Sequence, residues 1–210
     1  MKKEDSVYRR AEKHLVRRDP ILKQLIRKVG ACALQANPNH FFVLTKSIVS
    51  QQLSTKAAAT IHARLLASTK GAELTPLALL ALSEEALQAA GLSRAKRVAL
   101  RDLATKVHTG ELTFHQTTEF SDEEVIKSLV RVKGIGRWTA EMFLIFSLGR
   151  LDVLPVADLG LRAGVQQIYG LEELPERSQL EVIAKPWQPY RSVATWYLWR
   201  SRAFAIQEAK

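Results

Sequence analysis

The segment Lys133-Gly134-Ile135-Gly136-Arg137-Trp138-Thr139 is where residue types and spacing most readily suggest chemistry. Two glycines two apart allow backbone angles that other residues avoid and leave no side chain between main chain and ligand. Ile135 between them can plug the space between two flanking helices. A helix starting after Gly136 would aim its free N–H groups at the turn, a ready site for a phosphate. Lys133, Arg137 and Thr139 would surround that phosphate with donors. Such contacts touch only the backbone of DNA and are blind to its base sequence. Many ordinary αα-corners also contain Gly, so the pattern alone leaves that reading open. Other chemistries lack their parts. The five histidines (14, 40, 62, 108, 115) show no ligand spacing, and neither a P-loop nor a Ser/His/Asp or Cys/His arrangement is present. The single Cys32 excludes an internal disulfide, a Cys-rich zinc site and an iron–sulfur cluster, which takes about four thiolates.

The elements that must position this turn read almost entirely as helix. Asp19 as cap, Pro20 at the first helical position and Gly30 as stop frame a helix over Ile21–Val29, after a first one over Val7–Val16. Phe41–Gln52, Thr55–Ala67, Pro76–Leu82, Glu84–Ala90 and Arg94–Val107 follow, punctuated by Gly71, Thr75, Ser83, Gly91, Ser93 and Gly110. Ser121 with Glu124 forms a capping box ahead of Val125–Val132, and Ser178 with Glu181 reads as a second box. Leu159–Tyr169 and Tyr190–Arg202 complete the chain. No stretch alternates convincingly enough for a strand.

Composition narrows the partners. The 210 residues carry 31 Lys+Arg against 21 Asp+Glu, a formal +10, which points to an anionic partner with nucleic acid as the default. Hydrophobic residues at 47% supply ample core for a soluble globular chain. The charged N-terminus lacks the apolar core of a signal peptide. The apolar run Met142–Leu148 falls far short of the about 20 residues that span a bilayer. The expectation is an intracellular protein without membrane association, in a bacterial cytoplasm and nucleoid or in a eukaryotic nucleus.

With these residues in view the chain resembles the helix–hairpin–helix superfamily of base-excision DNA glycosylases. Lys133-Gly-Ile-Gly-Arg-Trp-Thr-Ala is similar to its hairpin signature. Leu151-Asp-Val-Leu-Pro-Val-Ala-Asp-Leu-Gly-Leu-Arg resembles the loop that ends in its catalytic aspartate, here Asp158. Ile48-Val-Ser-Gln-Gln-Leu-Ser-Thr-Lys-Ala-Ala is similar to the segment that enters the minor groove. The motifs occur in the family's order across most of residues 38–205, and together they look most like the DNA-3-methyladenine glycosylase II branch. The Schiff-base lysine of bifunctional members would fall at Trp138, so the resemblance implies hydrolysis without abasic-site lyase activity.

The resemblance also implies roles. Asp158 would stabilise an oxocarbenium-like sugar and orient or deprotonate the attacking water. Its bland alternative is a helix N-cap for Leu159–Tyr169, and both can hold. Asp152 and Glu141 are competing carboxylates, the latter more often a solvated helix charge. Leu53 would fill the gap left by a flipped base, with Gln52 and Ser54 at the minor groove. Leu53 could instead be core and Ser54 a helix cap. Trp138, Trp199 and Met142 would line the base pocket, where an electron-poor cationic purine stacks on aromatic faces. Core packing is the alternative for both tryptophans. Trp196, Tyr197 and Phe204 read as core. The family's hairpin implies a monovalent cation, Na+ or K+, on the main-chain carbonyls of Val130, Val132 and Ile135. No other cofactor is required.

The expected fold is all-α, with two helical lobes and the site in the cleft between them. Residues 1–37 with 137–210 would form a terminal lobe. Residues 38–136 would form a helical bundle, ending in the helix–hairpin–helix at about 123–149. The expected activity is that of a monomeric, monofunctional glycosylase releasing alkylated purines (3-methyladenine, 7-methylguanine) from double-stranded DNA by base flipping. Another lesion (ethenoadenine, uracil, oxidised guanine) or a non-catalytic DNA-binding protein are the alternatives.

Overall fold

A computed structural model describes residues 7–69, 73–114 and 119–208, with the side chains of residue 55 and of 203–208 left aside. Among the described residues every regular element is helical. In order these are α1 Val7–Arg18, α2 Pro20–Val29, α3 His40–Ser50, α4 Thr55–Ser68, α5 Pro76–Leu80 and α6 Glu84–Ala89. They continue with α7 Arg94–His108, α8 Asp122–Leu129, α9 Arg137–Phe146, α10 Leu159–Tyr169, α11 Arg177–Ile183, a 3-10 turn at Lys185–Trp187, and α12 Arg191–Glu208.

Local chemistry accounts for most of the boundaries. The side chains of Asp19, Asn39, Ser54, Thr75, Ser83, Ser93, Ser121 and Asp158 each accept a backbone N–H in the first turn of the following helix. The Ser121–Glu124 capping box forms as the sequence predicts. The Ser178–Glu181 box does not. Glu176 is the N-cap of α11, with no side-chain cap bond, and Ser178 lies inside the helix.

The chain divides into two compact units, residues 1–35 with 149–210, and residues 36–148. The sequence reading placed 137–148 with the terminal lobe. In the structure α9 packs on α3 and α8 instead, because Phe143, Leu144 and Ile145 are fully buried there. The core of the 36–148 unit also includes Leu44, Ile48, Leu65, Leu79, Leu100 and Leu103. Phe204 lies outside the described side chains.

The other unit is organised by α12 crossing α10 and packing on α1 and α2. Tyr197, Leu198, Trp187, Leu161 and Val165 form its interior, while Trp196 is only half-buried. A Cβ added at Gly164 would stand 2.6 Å from the Leu198 carbonyl oxygen, so glycine is what lets α10 and α12 approach this closely. Buried Asp19 holds the same unit together by accepting from Ile21 N, Leu22 N, Trp187 Nε1 at 2.9 Å and the Tyr169 hydroxyl at 2.5 Å. Burial together with the Asp19 carboxylate raises the Tyr169 pKa above its ordinary value.

Candidate active site

In the terminal unit, Asp158 is the N-cap of α10 and only 7% exposed. Its Oδ1 accepts from Leu161 N at 2.5 Å and from Trp199 Nε1 at 2.7 Å. The two readings of Asp158 as cap and as reactive carboxylate are thus geometrically compatible, since the cap fixes the orientation of the carboxylate. Trp199 reaches it because α12 lies close over α10. A Cβ at Gly160 would be 3.0 Å from Asp158 Oδ1 and 3.1 Å from Trp199 Cδ1, so Gly160 keeps the indole against the carboxylate. Gly160 was not singled out in the sequence; its place one turn before Gly164 on α10 was the available signal.

The rival carboxylates are occupied structurally. Arg191 clasps Asp152 through Nε to Oδ1 at 2.7 Å and an Nη to Oδ2 at 2.9 Å, tying the loop before Asp158 to the start of α12. Glu141 is not a solvated charge. It is 4% exposed and paired with Arg137 Nε at 3.1 Å.

In the 36–148 unit, Leu53 is 39% exposed, which excludes the core reading. Gln52, just before it, has φ of +56°, the only non-glycine residue in the left-handed region among those described. Such a backbone costs about 1–3 kcal/mol and turns the chain sharply, presenting Leu53 outward. Ser54 then caps α4, its Oγ accepting from Ala57 N at 3.2 Å.

Gln51, part of the segment similar to the minor-groove one but given no role of its own there, supports this loop. Its amide Nε2 donates to the Gly134 carbonyl at 2.8 Å and approaches the Thr139 hydroxyl at 3.3 Å. The loop bearing Leu53 is therefore bonded to the hairpin. Ser50, Gln51, Gln52, Leu53, Trp138 and Thr139 together line a recess of about 540 Å3. A larger recess of about 640 Å3, lined by His40, Phe41 and Phe114 among others, opens at the opposite end of α3 and includes none of these residues.

The hairpin itself follows the prediction in part. Ile135 is 4% exposed, plugging the turn, and Gly134 takes φ of +77° with Ala99 Cβ 3.0 Å from where a Cβ would stand. Gly136 is different. It has extended backbone, caps α9 without any side-chain bond, and a Cβ there would meet nothing within 4 Å. Lys133 is exposed, and its backbone N–H donates to Asp102 Oδ2 at 2.8 Å.

Two expected phosphate donors face elsewhere. Thr139 is 3% exposed, with its hydroxyl turned to Gln51, and the Arg137 guanidinium is ion-paired with Glu123 and Glu141. The reason is that every residue of α9 from Thr139 to Ile145 is buried, on all sides of the helix, which the sequence pattern of a single helix start does not reveal. Trp138 is 40% exposed and outside the core, whereas Met142, one turn on, is 7% exposed. Leu53, Gln51, Trp138 and the hairpin belong to one unit, and Asp158, Trp199 and Gly160 to the other.

Among the described residues the chain is all-helical, with a glycine hairpin in one unit and a capped, indole-bonded aspartate in the other. Residues 45–189 match the family model of the HhH-GPD superfamily base excision DNA repair protein, and this chain belongs to that family. It is similar to the alkylbase DNA glycosidase-like protein mag2 of Schizosaccharomyces pombe, with 35% identity over 201 residues, covering 93% of this chain and 94% of the relative. The DNA-3-methyladenine glycosylase 1 of the same yeast is 35% identical over 205 residues, covering 93% and 88%. Among solved structures, the S. pombe 3-methyladenine DNA glycosylase in complex with abasic DNA superposes with a TM-score of 0.84 at 34% identity, covering 92% of this chain and 97% of its own.

Proposed function

We propose that this chain is a monofunctional DNA glycosylase that hydrolyses the N-glycosidic bond of alkylated purines, of the 3-methyladenine and 7-methylguanine type, in duplex DNA. The observation that carries the reading is Asp158, buried at a helix N-terminus with Oδ1 bonded to Leu161 N and Trp199 Nε1. A carboxylate fixed in this way pays little reorganisation cost when positive charge develops on the sugar. An alkylated purine is already cationic and leaves without a general acid, so one carboxylate suffices where other glycoside hydrolases use two. Relatives named for 3-methyladenine chemistry support the substrate class.

Base flipping falls to the other cluster. Leu53, turned outward by Gln52, would enter the stack in place of the flipped nucleotide. Trp138 offers an exposed face for a cationic purine, and the open N-terminus of α9 at Gly136 would receive a phosphate beside Lys133. The carbonyls of Val130, Val132 and Ile135 are hard oxygen donors of the kind a monovalent cation takes. Val132 O keeps a lone pair after accepting Ile135 N–H at 3.1 Å, so the donor set fits such an ion. Bound there, it would add positive charge to the turn. Trp138 in place of a Schiff-base lysine supports simple hydrolysis.

The test is single-turnover release of bases from methylated duplex by wild type and Asp158→Asn. Asparagine remains a good cap and its amide oxygen can still accept both bonds, so the fold survives while the charge is lost. Release of methylated purines that falls by about 100-fold or more in the variant is expected. Equal release by the two proteins would overturn the role of Asp158. No release by wild type, with oxidised or deaminated lesions cleaved instead, would overturn the substrate class.

A further inference from the structure

Helix α7 carries Lys96, Ala99 and Asp102 at intervals of three, a spacing that sets them one above another along one side of the helix over about 9 Å. Each meets a part of the Leu53 loop or of the hairpin in the same unit. Lys96 Nζ donates to the Val49 carbonyl at 2.7 Å. Ala99 lies against the hairpin, its Cβ 3.0 Å from where a Cβ on Gly134 would stand. Asp102 Oδ2 accepts the Lys133 N–H at 2.8 Å.

Both polar bonds take up groups that the helix ends leave over. Val49 is in the last turn of α3, where a carbonyl would ordinarily accept from the fourth residue on. That residue is Leu53, whose N–H bonds to Ser50 O at 3.3 Å instead. An ammonium at this place also meets the negative end of the helix dipole. Lys96 is half-buried, and the loss of water around it lowers its pKa below the ordinary lysine value. Lys133 lies between α8 and α9, outside the hydrogen bonding of either helix. Its acceptor is itself held, since Lys106 Nζ pairs with Asp102 Oδ1 at 3.7 Å.

The Gln51 amide closes these contacts into a ring. From Lys96 the ring runs to Val49, two residues on to Gln51, across to the Gly134 carbonyl, back one residue to Lys133, and through Asp102 to α7 again. A loop and a hairpin bonded only to each other can shift together. Bonded also to two points six residues apart on one helix, they keep a fixed separation.

We propose that α7 sets the register between the Leu53 loop and the hairpin, with Lys96 and Asp102 as positioning residues, a role that rests on the reading of Leu53 as a wedge and of the hairpin as a phosphate site. Lys96 acts on Leu53 through the Val49 carbonyl, and Asp102 acts on the hairpin through the Lys133 N–H. Wedge and phosphate grip then meet one duplex at a preset spacing, which spares the ordering that binding otherwise imposes. An ångström of misplacement far from the chemistry can cost on the order of 100-fold in rate.

The experiment compares wild type with Lys96→Met, Lys96→Arg, Asp102→Ala and Asp102→Asn. It reads single-turnover release of alkylated purine from matched and mismatched duplex, fluorescence of 2-aminopurine beside the lesion as the stack opens, and duplex affinity across a salt series. Lys96→Met keeps the stem and removes the donor. It should slow release from matched duplex by about 10-fold and blunt the fluorescence rise. A mismatched site should suffer less, because its base leaves the stack with less help. Lys96→Arg should restore both. The salt slope should hold in Lys96→Met, and a fall of about 0.9 would replace the positioning role with a direct phosphate contact. Adding Leu53→Ala to Lys96→Met should slow release no further than Leu53→Ala alone, since one acts through the other. Additive losses, or equal losses on matched and mismatched duplex, would overturn the route through Leu53 and leave Lys96 a merely structural residue.

Asp102 separates bracing from charge by sign. Removing an acid beside a phosphate site tightens DNA binding by charge alone. Loss of the brace should instead weaken it, so Asp102→Ala is expected to bind undamaged duplex about fivefold less tightly. Asp102→Asn, whose amide oxygen still accepts the Lys133 N–H, should bind at least as tightly as wild type. Equal or tighter binding by Asp102→Ala would overturn the brace. Wild type that opens the stack yet releases no alkylated purine would overturn the substrate reading, and the fluorescence and affinity arms would then decide the role of α7. Wild type that neither opens the stack nor binds duplex would overturn both.

Discussion

Trp199 Nε1 donates to Asp158 Oδ1 at 2.7 Å, joining α12 to the N-cap of α10 through the proposed reactive carboxylate. The bond would give Trp199 a positioning role alongside the base-pocket role that the family resemblance implies. Trp199→Phe keeps most of the ring volume and removes the donor. A hydrogen bond to a charged group contributes about 1.5–3 kcal/mol, so single-turnover release should fall by about 10-fold or more. Substrate affinity should change less than the rate. An unchanged rate constant would show that the bond does not serve the chemistry.

The two hairpin glycines should separate cleanly on mutation to alanine. Gly134→Ala forces a Cβ onto a residue at φ of +77° and to 3.0 Å from Ala99 Cβ. It should lower stability by about 1–3 kcal/mol in denaturant titrations. Gly136→Ala meets no atom of the protein and needs no unusual backbone, so the unfolded-state gain and the poorer N-cap offset each other and stability should change by no more than about 1 kcal/mol. Its duplex affinity should nonetheless drop, because the new methyl group stands where a phosphate would approach. Full affinity in a stable Gly136→Ala protein would argue against phosphate binding at this turn.

The loop carrying Leu53 makes a different prediction. Leu53 is 39% exposed, so Leu53→Ala should leave stability within about 0.5 kcal/mol. Release from duplex should fall while release from a mismatched or already unpaired site falls less, since those bases need less help to leave the stack. Gln51→Ala, which breaks the bond to the Gly134 carbonyl, should reproduce part of the same defect. Comparing the two substrates in parallel gives the answer. Equal losses on both would assign the residues to contacts other than base flipping.

Stability should fall with acid in a defined window. Burial lowers the pKa of His40 and of His62, and the charge of Lys46 pushes His62 in the same direction. The folded protein therefore takes up these protons less readily than the unfolded chain. The contribution is complete above the ordinary histidine value of 6.5 and is lost as pH drops below it toward the lowered values. His62 Nε2 is also buried without a hydrogen-bond partner. His62→Leu should flatten the decline in unfolding free energy between about pH 7.5 and about pH 5.5. A decline as steep as in wild type would place the acid sensitivity elsewhere.

Much of this was legible in one dimension because its causes are local. Asp19-Pro20 to Gly30, Ser121 with Glu124, and Asp158 before Leu159–Tyr169 announce helix ends through caps, which act within three or four residues. The glycine pair of the hairpin and the +10 charge likewise need no tertiary context to suggest a phosphate ligand. The helical class of the fold followed from the same periodicity.

What remained depended on which face of a helix meets which neighbour. Position along α9 alone could not say that Thr139 and Glu141 are buried while Trp138 is exposed. The same holds for Gln51, whose partners Gly134 and Thr139 are more than eighty residues away in sequence. Burial decided that Leu53 is not core, and the close crossing at Gly164 and Leu198 decided that Trp199 bonds Asp158. Caps and turns are written in neighbouring residues. The hydrogen bonds that aim a carboxylate or brace a loop are set only when distant helices pack.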